Sequence, residues 1–487
     1  MNFRGPLLFA LVLTGAFLAA LPAATVTMPV DEVRPGMRGT GVTVFQGTER
    51  SEFSAEIIGV LENAMGPRRN LILARLEGGP LAESGVIQGM SGSPVYVDGR
   101  LLGAVSYSMG SFPKDTIAGI TPIAEMLRDD SGSSSRVARA APRLPLPLAT
   151  DTLTSLLPDR LTRPDPFATR PGDISAVGLS SGAAATLGVQ LRPIATPLVM
   201  TGFTAEAIDH IAPMFRTAGM VAVVGGGVSS QTESDAPLQP GDAVGVSLIR
   251  GDLSMAGTGT VTHVDEGRLY AFGHPFYNLG SARFPMTRAY VHTVLPSQAI
   301  SSKIAAVGEV LGTIDQDRST GISGSLGAGP RLVPVHVSLN APDRNRVDSF
   351  DFEVVADELF TPLLSYNAML NTLFTHSREV GSATYVVRGQ VELAGHPSVT
   401  FEETFSGDAA TVMAGLYLSG PLTALLSNGF GPVTVEGVDV SVTAYDDVRT
   451  AQIERVWLDD PRPRPGRTVP LRIVARTHRG DEISRTI

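Results

Sequence analysis

The sequence contains no cysteine among its 487 residues. This absence excludes disulfide bonds, thiol nucleophiles, iron–sulfur sites and zinc sites built from thiolates. Lysine is almost missing as well and occurs at Lys114 and Lys303, so arginine carries nearly all of the positive charge in a chain of net charge −10. The basic residues are scattered and form no stripe. Because nucleic-acid-binding proteins usually carry a basic patch, this pattern argues against nucleic acid as a partner.

Aromatic side chains are scarce too, at 6% of the residues, whereas the chain holds 52 glycines and 35 prolines. Glycine and proline mark turns, so this composition favours short strands joined by turns over long helices. A usual domain size of about 150 residues predicts two to four domains. The sequence therefore predicts a mainly β protein with several domains.

One long apolar run is present, and it lies at the N-terminus. Arg4 precedes PLLFALVLTGAFLAALPAA, which ends in small residues. A positive segment, an apolar segment and a small-residue end are typical of a secretory signal peptide. Residues 1–24 are therefore expected to direct export to the periplasm or the extracellular space, with an uncleaved membrane anchor as the alternative. No second run of spanning length follows, so no further membrane span is expected.

Strand patterns predict a compact β-rich unit over residues 28–128. Asp98-Gly99 separates VYV from RLLGAV and indicates a tight β-hairpin. Thr121 and Pro122 are expected to begin a helix over TPIAEMLRD that closes the unit, with Thr121 as its N-cap.

Four further segments are predicted in chain order. Residues 129–173 are rich in proline and serine and form a linker, and residues 174–330 form a second β region with a helix over TAEAIDHIAPMFRTAG. Residues 331–450 form a β-rich C-terminal domain, and residues 451–487 a partial β-sandwich of about two strands. GTGVTVF (39–45) and GTGTVTHV (257–264) open the two β regions alike, which indicates either related half-barrels or a chance similarity.

Residues 89–94 read GMSGSP and combine two things that a serine nucleophile requires. Gly89 and Gly92 lie near Ser91 and permit a tight backbone that presents the Oγ atom. The same geometry lets the backbone N–H groups of Gly89 and Ser91 point into one pocket, as an oxyanion hole requires. Pro94 fixes the exit into the next strand. A purely structural glycine-rich turn is the alternative interpretation.

A serine nucleophile also needs a base, and the chain offers eight histidines. Two of them lie in Gly-His-Pro, His274 in LYAFGHPFYNLG and His396 in VELAGHPSVTF. His274 follows an apolar strand and enters a second glycine-containing loop, which suits a histidine at a barrel rim. His396 is typical of an ordinary turn. No pair of histidines has the HxxxH spacing of zinc ligands, and we predict no metal site.

The bend and the hairpin after it resemble known peptidases. GMSGSPVYVDGRLLGAVSYS is similar to the nucleophile segment of chymotrypsin-like serine peptidases, where a Gly-Asp-Ser-Gly-Gly-Pro bend precedes a strand, a turn and a Gly-x-Val-Ser strand. Together with GTGTVTHVDEGRLYAFGHPF and GEVLGTIDQDRSTGISGSLG, it resembles the SpoIVB-type serine peptidases of bacteria, over roughly residues 30–128 and 240–330. The resemblance implies a chymotrypsin-like two-part β-barrel from 28–128 and 174–330, with Ser91 as nucleophile and His274 as general base.

The chain departs from this family in two ways. The family's histidine precedes its serine, whereas Ser91 precedes His274 here. Triads occur in several chain orders, so the reversed order does not exclude catalysis. It requires the two β regions to pack face to face, either in permuted order or across a dimer. The family's acidic residue lies before its serine, where this chain offers Asn70 and Glu77 but no aspartate. The third triad member is therefore left open between Asn70, Glu77, Asp115 and Asp315.

The sequence predicts an exported serine endopeptidase that hydrolyses peptide bonds in a protein or peptide substrate and needs no cofactor. The alternative is a non-catalytic cell-envelope scaffold or peptide-binding protein built on a peptidase-like barrel. The sequence leaves the oligomeric state open.

Overall fold

A computed structural model describes residues 25–109, 115–128, 191–216, 218–226, 236–297, 300–375 and 382–487. The predicted signal segment 1–24 and the predicted linker 129–173 lie outside the described residues. Strands form most of the regular structure, which confirms the prediction of a mainly β protein.

Six strands of the first β region close into an antiparallel barrel with the order β1-β2-β3-β6-β5-β4, in which β4 pairs back onto β1. Their bounds are β1 Arg38–Gln46, β2 Glu49–Leu61, β3 Leu71–Glu77, β4 Pro94–Val97, β5 Arg100–Met109 and β6 Ile117–Pro122. A single helical turn, α1 (Leu81–Ser84), precedes the GMSGSP bend, and β7 (Leu191–Pro193) pairs with the outside of β5.

The predicted hairpin is confirmed, because Asp98 (φ +50°) and Gly99 (φ +73°) join β4 to β5 in the left-handed conformation that a two-residue turn requires. The expected closing helix is wrong at its start. Thr121 lies inside strand β6, and the helix α2 is one turn, Ile123–Met126. The physical reason is that the Thr121 hydroxyl forms hydrogen bonds within the barrels instead of capping a helix. Its Oγ1 atom lies 2.7 Å from Ser106 Oγ and donates to the carbonyl of Gly273.

The second β region also closes into a ring of six antiparallel strands, with the order β10-β11-β12-β15-β14-β13. Strands β8 and β9 with the helix α3 extend the sheet beside β11, and α3 matches the helix predicted from TAEAIDHIAPMFRTAG. The bounds are β8 Thr196–Thr201, α3 Ala205–Arg216, β9 Met220–Val224, β10 Ala243–Gly251, β11 Ser254–Asp265, β12 Arg268–Ala271, β13 Gly280–Leu295, β14 Ser302–Arg318 and β15 Gly321–Leu326.

The two barrels pack against each other, as the two-part barrel prediction requires. The backbones of Gly47 in the first barrel and Val291 in the second exchange hydrogen bonds of 2.6 and 3.0 Å. Gly241 lies so close to Val42 that an added Cβ would be 2.6 Å from its Cγ1 atom. Two barrels of six strands are therefore packed together within one chain, with the barrel of Ser91 first and the barrel of His274 second.

The C-terminal strands continue the sheet of the second barrel, because β17 pairs with β10. The order runs β19-β18-β20-β16-β17, with β20 parallel to β16, and helices α4 and α5 cover the face that a second sheet would cover in a sandwich. The bounds are β16 Leu332–Ala341, β17 Arg346–Val355, α4 Phe360–Phe374, β18 Ala383–Leu393, β19 His396–Gly407, α5 Ala410–Leu426 and β20 Val435–Tyr445.

The last segment forms a separate antiparallel sheet of three strands, one more than the sequence indicated: β21 Ala451–Leu458, β22 Leu471–Thr477 and β23 Glu482–Thr486. Over the described part of the chain, no helix has both the length and the apolar composition that a membrane span requires.

Candidate active site

The GMSGSP bend owes its shape to two glycines in the left-handed region, Gly89 at φ +89° and Gly92 at φ +99°. A Cβ on Gly92 would lie 1.9 Å from the carbonyl oxygen of Thr260 and 2.6 Å from the nitrogen of Phe272, both in the second barrel. No side chain fits there, and the backbone conformation disfavours one as well. The glycine therefore allows the nucleophile bend to approach the opposite barrel at backbone distance.

The first of the two predicted oxyanion donors, the Gly89 N–H, is oriented by its own peptide group. The carbonyl of Gln88 accepts a hydrogen bond of 3.0 Å from the backbone N–H of Lys303. In a trans peptide the C=O and the following N–H point in opposite directions, so the Gly89 N–H points away from strand β14. Within the described ranges this N–H has no hydrogen-bond acceptor.

The second predicted donor, the Ser91 N–H, is held in the same way. The carbonyl of Met90 accepts from the backbone N–H of Ser93 at 3.0 Å and from Ser93 Oγ at 2.5 Å. The Ser91 N–H is thereby directed to the other side, and among the described residues it too lacks an acceptor. Two buried backbone donors without acceptors in one bend are unusual, since most buried N–H groups are paired, and they suit an anionic oxygen.

Ser91 lies at the base of this bend and is 0% exposed. Its carbonyl accepts from the Thr260 N–H at 2.8 Å, whereas its Oγ atom has no hydrogen-bond partner among the described residues. A second Gly-x-Ser-Gly-Ser stretch, which lies in a regular strand, differs from the bend in the contacts of its serine hydroxyl. Ser323 in GISGSL lies within β15, and its Oγ accepts a hydrogen bond from Arg268.

His274 lies on the loop between β12 and β13, and this loop is attached to the first barrel. A Cβ on Gly273 would lie 2.9 Å from the Cβ atoms of Ala104 and Ser106 on β5, and the Gly273 carbonyl accepts from Thr121 Oγ1 at 2.7 Å. The preceding Phe272 has φ +70°, a strained conformation for a bulky residue. The loop of the second barrel is therefore held against the barrel that carries Ser91.

The ring of His274 is buried, and one nitrogen has a partner. Nδ1 lies 2.9 Å from the carbonyl oxygen of Pro275. Because a carbonyl only accepts, Nδ1 carries the proton and Nε2 keeps its lone pair. Burial lowers the pKa of His274 to about 4, with the Pro275 hydrogen bond opposing that shift. Nε2 is buried and, like Ser91 Oγ, has no partner in the described part of the chain, so the two atoms are not hydrogen-bonded to each other.

Asp317 shapes the loop after His274 and was missed by the sequence reasoning. Its carboxylate is buried and accepts hydrogen bonds from the backbone N–H groups of Phe276 at 2.8 Å, Tyr277 at 2.7 Å and Leu279 at 3.1 Å. Asp315, two residues away, is one of the candidates that the sequence offers for the third triad position. It forms an ion pair with Arg268 instead. No local signal separates Asp317 from Asp315, because both lie in the polar IDQDR end of β14.

The structure places the other candidates for the third triad position elsewhere. Asp115 forms an ion pair with Arg75 at 3.4 Å and is largely exposed. Asn70 accepts a hydrogen bond from the Asn63 N–H at 3.0 Å. Glu77 is exposed at the end of β3. The side chain that orients the His274 ring is therefore replaced by a backbone carbonyl, that of Pro275.

Across the described ranges, no three His, Asp or Glu side chains group closely enough to hold a metal ion. The site consists of a serine hydroxyl, an imidazole and two backbone donors, and this set can carry out acyl transfer.

Comparisons with known proteins identify one family. Residues 22–126, about a fifth of the chain, match the family described as SpoIVB peptidase S55. No curated protein and no solved structure matches the chain. The matched segment contains Ser91 and the hairpin that follows it, and it ends before His274. The match indicates a peptidase, and hence a protein or peptide substrate. The resemblance to the SpoIVB-type peptidases that was predicted from GMSGSP and its hairpin is therefore confirmed for residues 22–126.

Proposed function

We propose that the protein is an exported serine endopeptidase in which Ser91 is the nucleophile, His274 the general base, and the N–H groups of Gly89 and Ser91 the oxyanion hole. The observation that carries the proposal is the bend itself, where two buried backbone donors and the buried Ser91 hydroxyl have no hydrogen-bond partner among the described residues. The loop of His274 is hydrogen-bonded to the same barrel through Thr121.

The reaction follows from the protonation states of these groups. Ser91 Oγ attacks the peptide carbonyl carbon while its proton passes to the lone pair of His274 Nε2, and the carbonyl oxygen becomes an oxyanion that accepts from the two N–H groups. Nε2–H then protonates the leaving amine as the C–N bond breaks. Water repeats the sequence on the acyl-enzyme, and the serine and the neutral imidazole are regenerated.

The Pro275 carbonyl can perform one of the two tasks of a triad carboxylate. It holds the tautomer in which Nε2 is the base, since Nδ1 must carry the proton to donate to it. It adds no negative charge beside the imidazolium that forms during attack. We therefore expect slow turnover compared with a peptidase that has an aspartate at this position.

Ser91 and His274 Nε2 are buried, so a substrate reaches them only after a conformational change exposes both groups. The same burial, together with a carbonyl in place of a carboxylate at His274, supports the second candidate function, a non-catalytic envelope protein that binds peptides or partners on a peptidase-like barrel.

The proposed export rests on the N-terminal segment 1–24, whose charge and apolar pattern are those of a signal peptide. The substrate would then be a protein in the periplasm or outside the cell.

A fluorophosphonate probe and labelled casein test the proposal with the purified full chain. Wild type should be labelled and should cleave casein, whereas Ser91→Ala should lose labelling and His274→Ala should lose cleavage by at least about a thousandfold. Two matched controls exist in the chain. Ser323→Ala changes the second Gly-x-Ser-Gly-Ser stretch, and His396→Ala changes the second Gly-His-Pro, and both should keep wild-type activity.

Equal labelling of wild type and Ser91→Ala would contradict the nucleophile assignment. A wild-type chain that is neither labelled nor active would favour the non-catalytic candidate.

A further inference from the structure

Lys303 is a buried amine that the proposed reaction does not use. It is the second residue of β14, is 2% exposed, and its Nζ atom donates a hydrogen bond of 2.8 Å to Thr43 Oγ1 on β1 of the first barrel. Within the part of the chain that the structure describes, no carboxylate pairs with it. Burial lowers the pKa of Lys303 to about 7. A buried amine without a counter-ion is costly, so an apolar residue of similar length would serve packing better.

The main chain and the side chain of Lys303 both lie against the nucleophile bend. Its backbone N–H donates to the carbonyl of Gln88 at 3.0 Å, which orients the Gly89 N–H. Its side chain then runs along Gly89, where an added Cβ would lie 3.3 Å from both Cβ and Cδ of the lysine. The residue therefore touches the peptide group that supplies the first oxyanion donor.

A relay of hydroxyl groups leads from the amine back to the bend. Thr43 Oγ1 lies 3.4 Å from Thr260 Oγ1, and Thr260 Oγ1 donates to the Gly89 carbonyl at 3.0 Å. Each hydroxyl has one proton, so with the amine donating to Thr43 and Thr260 donating to the carbonyl, the bond between the two threonines must run from Thr43 to Thr260. Hydrogen bonds in such a chain polarise and strengthen one another.

We propose that Lys303 is a positioning residue for the Ser91 bend, holding the Gln88 carbonyl through its backbone and the Gly89 carbonyl through the Thr43–Thr260 hydroxyl relay. The two carbonyls belong to consecutive peptide groups, so fixing both sets the rotation of the Gly89 residue between them. This role rests on the proposed function for its consequence in catalysis, because the aligned Gly89 N–H would receive the oxyanion.

The test uses the full chain with Lys303→Met, which keeps the length of the side chain and removes the amine, and Thr43→Val, which removes the relay hydroxyl. Thr43→Ser is the matched control because it restores the hydroxyl. The first readout is hydrogen–deuterium exchange of residues 86–92, whose Gln88, Met90 and Gly92 amides are hydrogen-bonded. The second is kcat and KM on labelled casein.

We expect faster exchange confined to residues 86–92 in Lys303→Met and Thr43→Val, with Thr43→Ser like wild type. We also expect kcat to fall by about tenfold to a hundredfold with KM nearly unchanged, because misplacement of a catalytic group acts on the transition state. Unchanged exchange in both variants, or faster exchange throughout both barrels, would overturn the proposal. A wild-type chain without activity would contradict the peptidase function, and the exchange data would still decide the role of Lys303.

Discussion

Ser91 and His274 lie on different barrels, and the loop of the histidine is fastened to the barrel of the serine by the hydrogen bond from Thr121 Oγ1 to the carbonyl of Gly273. This contact answers the question raised by their reversed order in the chain. The two barrels pack within one molecule, so no dimer is needed to bring the two loops to the same interface.

Gly92 should be intolerant of substitution. In Gly92→Ala the new Cβ would meet the Thr260 carbonyl at 1.9 Å in a left-handed backbone, and we expect a loss of about 3 kcal/mol or more in the free energy of unfolding. Gly99→Ala is the control, because Gly99 is also left-handed but has open space around its Cβ position; it should cost only about 1 kcal/mol. Urea denaturation measures both, and equal losses would contradict the argument from close approach.

Asp317 should matter more than its neighbour Asp315. Asp317→Asn places an amide N–H₂ group against backbone N–H donors of the His274 loop, and we expect a loss of about 3 kcal/mol in unfolding free energy together with lower peptidase activity. Asp315→Asn weakens a partly exposed ion pair with Arg268 and should cost less than about 1 kcal/mol. Thermal or urea denaturation distinguishes them, and the opposite ranking would show that the loop does not depend on Asp317.

The buried imidazole of His274 predicts a dependence on acid. Its pKa is about 4 in the folded chain and 6.5 ordinarily, so the unfolded chain binds the proton first as the pH falls. This contribution should leave stability unaffected above pH 6.5 and remove about 3 kcal/mol progressively between pH 6.5 and 4. His274→Gln should lack that part of the loss. The comparison of urea midpoints at pH 7 and pH 4.5 measures it.

The lowered pKa of His274 also predicts how kcat/KM falls at acid pH. A general base works in its unprotonated form, so kcat/KM should fall as the pH drops through about 4 and should remain level down to about pH 5. A limb near pH 6.5 would contradict this prediction, because it would show that His274 is exposed to solvent in most molecules of the free protein.

Lys303→Met should be more stable than wild type at neutral pH. The pKa of Lys303 is about 7 in the folded chain, against an ordinary 10.5. Between pH 10.5 and pH 7 the amine is therefore protonated in the unfolded chain but neutral in the folded chain, which favours unfolding. Removing the amine should therefore raise unfolding free energy on the order of 4 kcal/mol at pH 7, with the difference vanishing near pH 10.5. Urea denaturation of both proteins at pH 7 and 10 tests this. A variant that is less stable than wild type at pH 7 would contradict it.

Local features of the sequence predicted the tight backbone of the GMSGSP bend and the hairpin that follows it. The glycines of GMSGSP and the Asp98-Gly99 turn have conformations that adjacent residues dictate, and the mainly β fold follows from composition and alternation. Asp317, Thr121 and Lys303 could not be assigned, because each acts through partners that are remote in the chain. Their local sequences favour ordinary structural roles, and their contacts become visible only when the two barrels are packed together.

The pairing of β17 with β10 could likewise not be predicted from the sequence. Strand patterns locate strands but not their neighbours, since any two strands of similar length and polarity can pair. The C-terminal sheet was therefore expected as a separate unit, and the structure joins it to the barrel of His274.

The order of the two barrels has a consequence during synthesis. Domains emerge and fold from the N-terminus, so the barrel with Ser91 is complete while the strands that carry His274 are still being made. Under the proposed function, the growing polypeptide holds a hydroxyl with no base beside it until its last barrel strand closes. Peptide hydrolysis would thus begin only after both barrels have been made and have packed together.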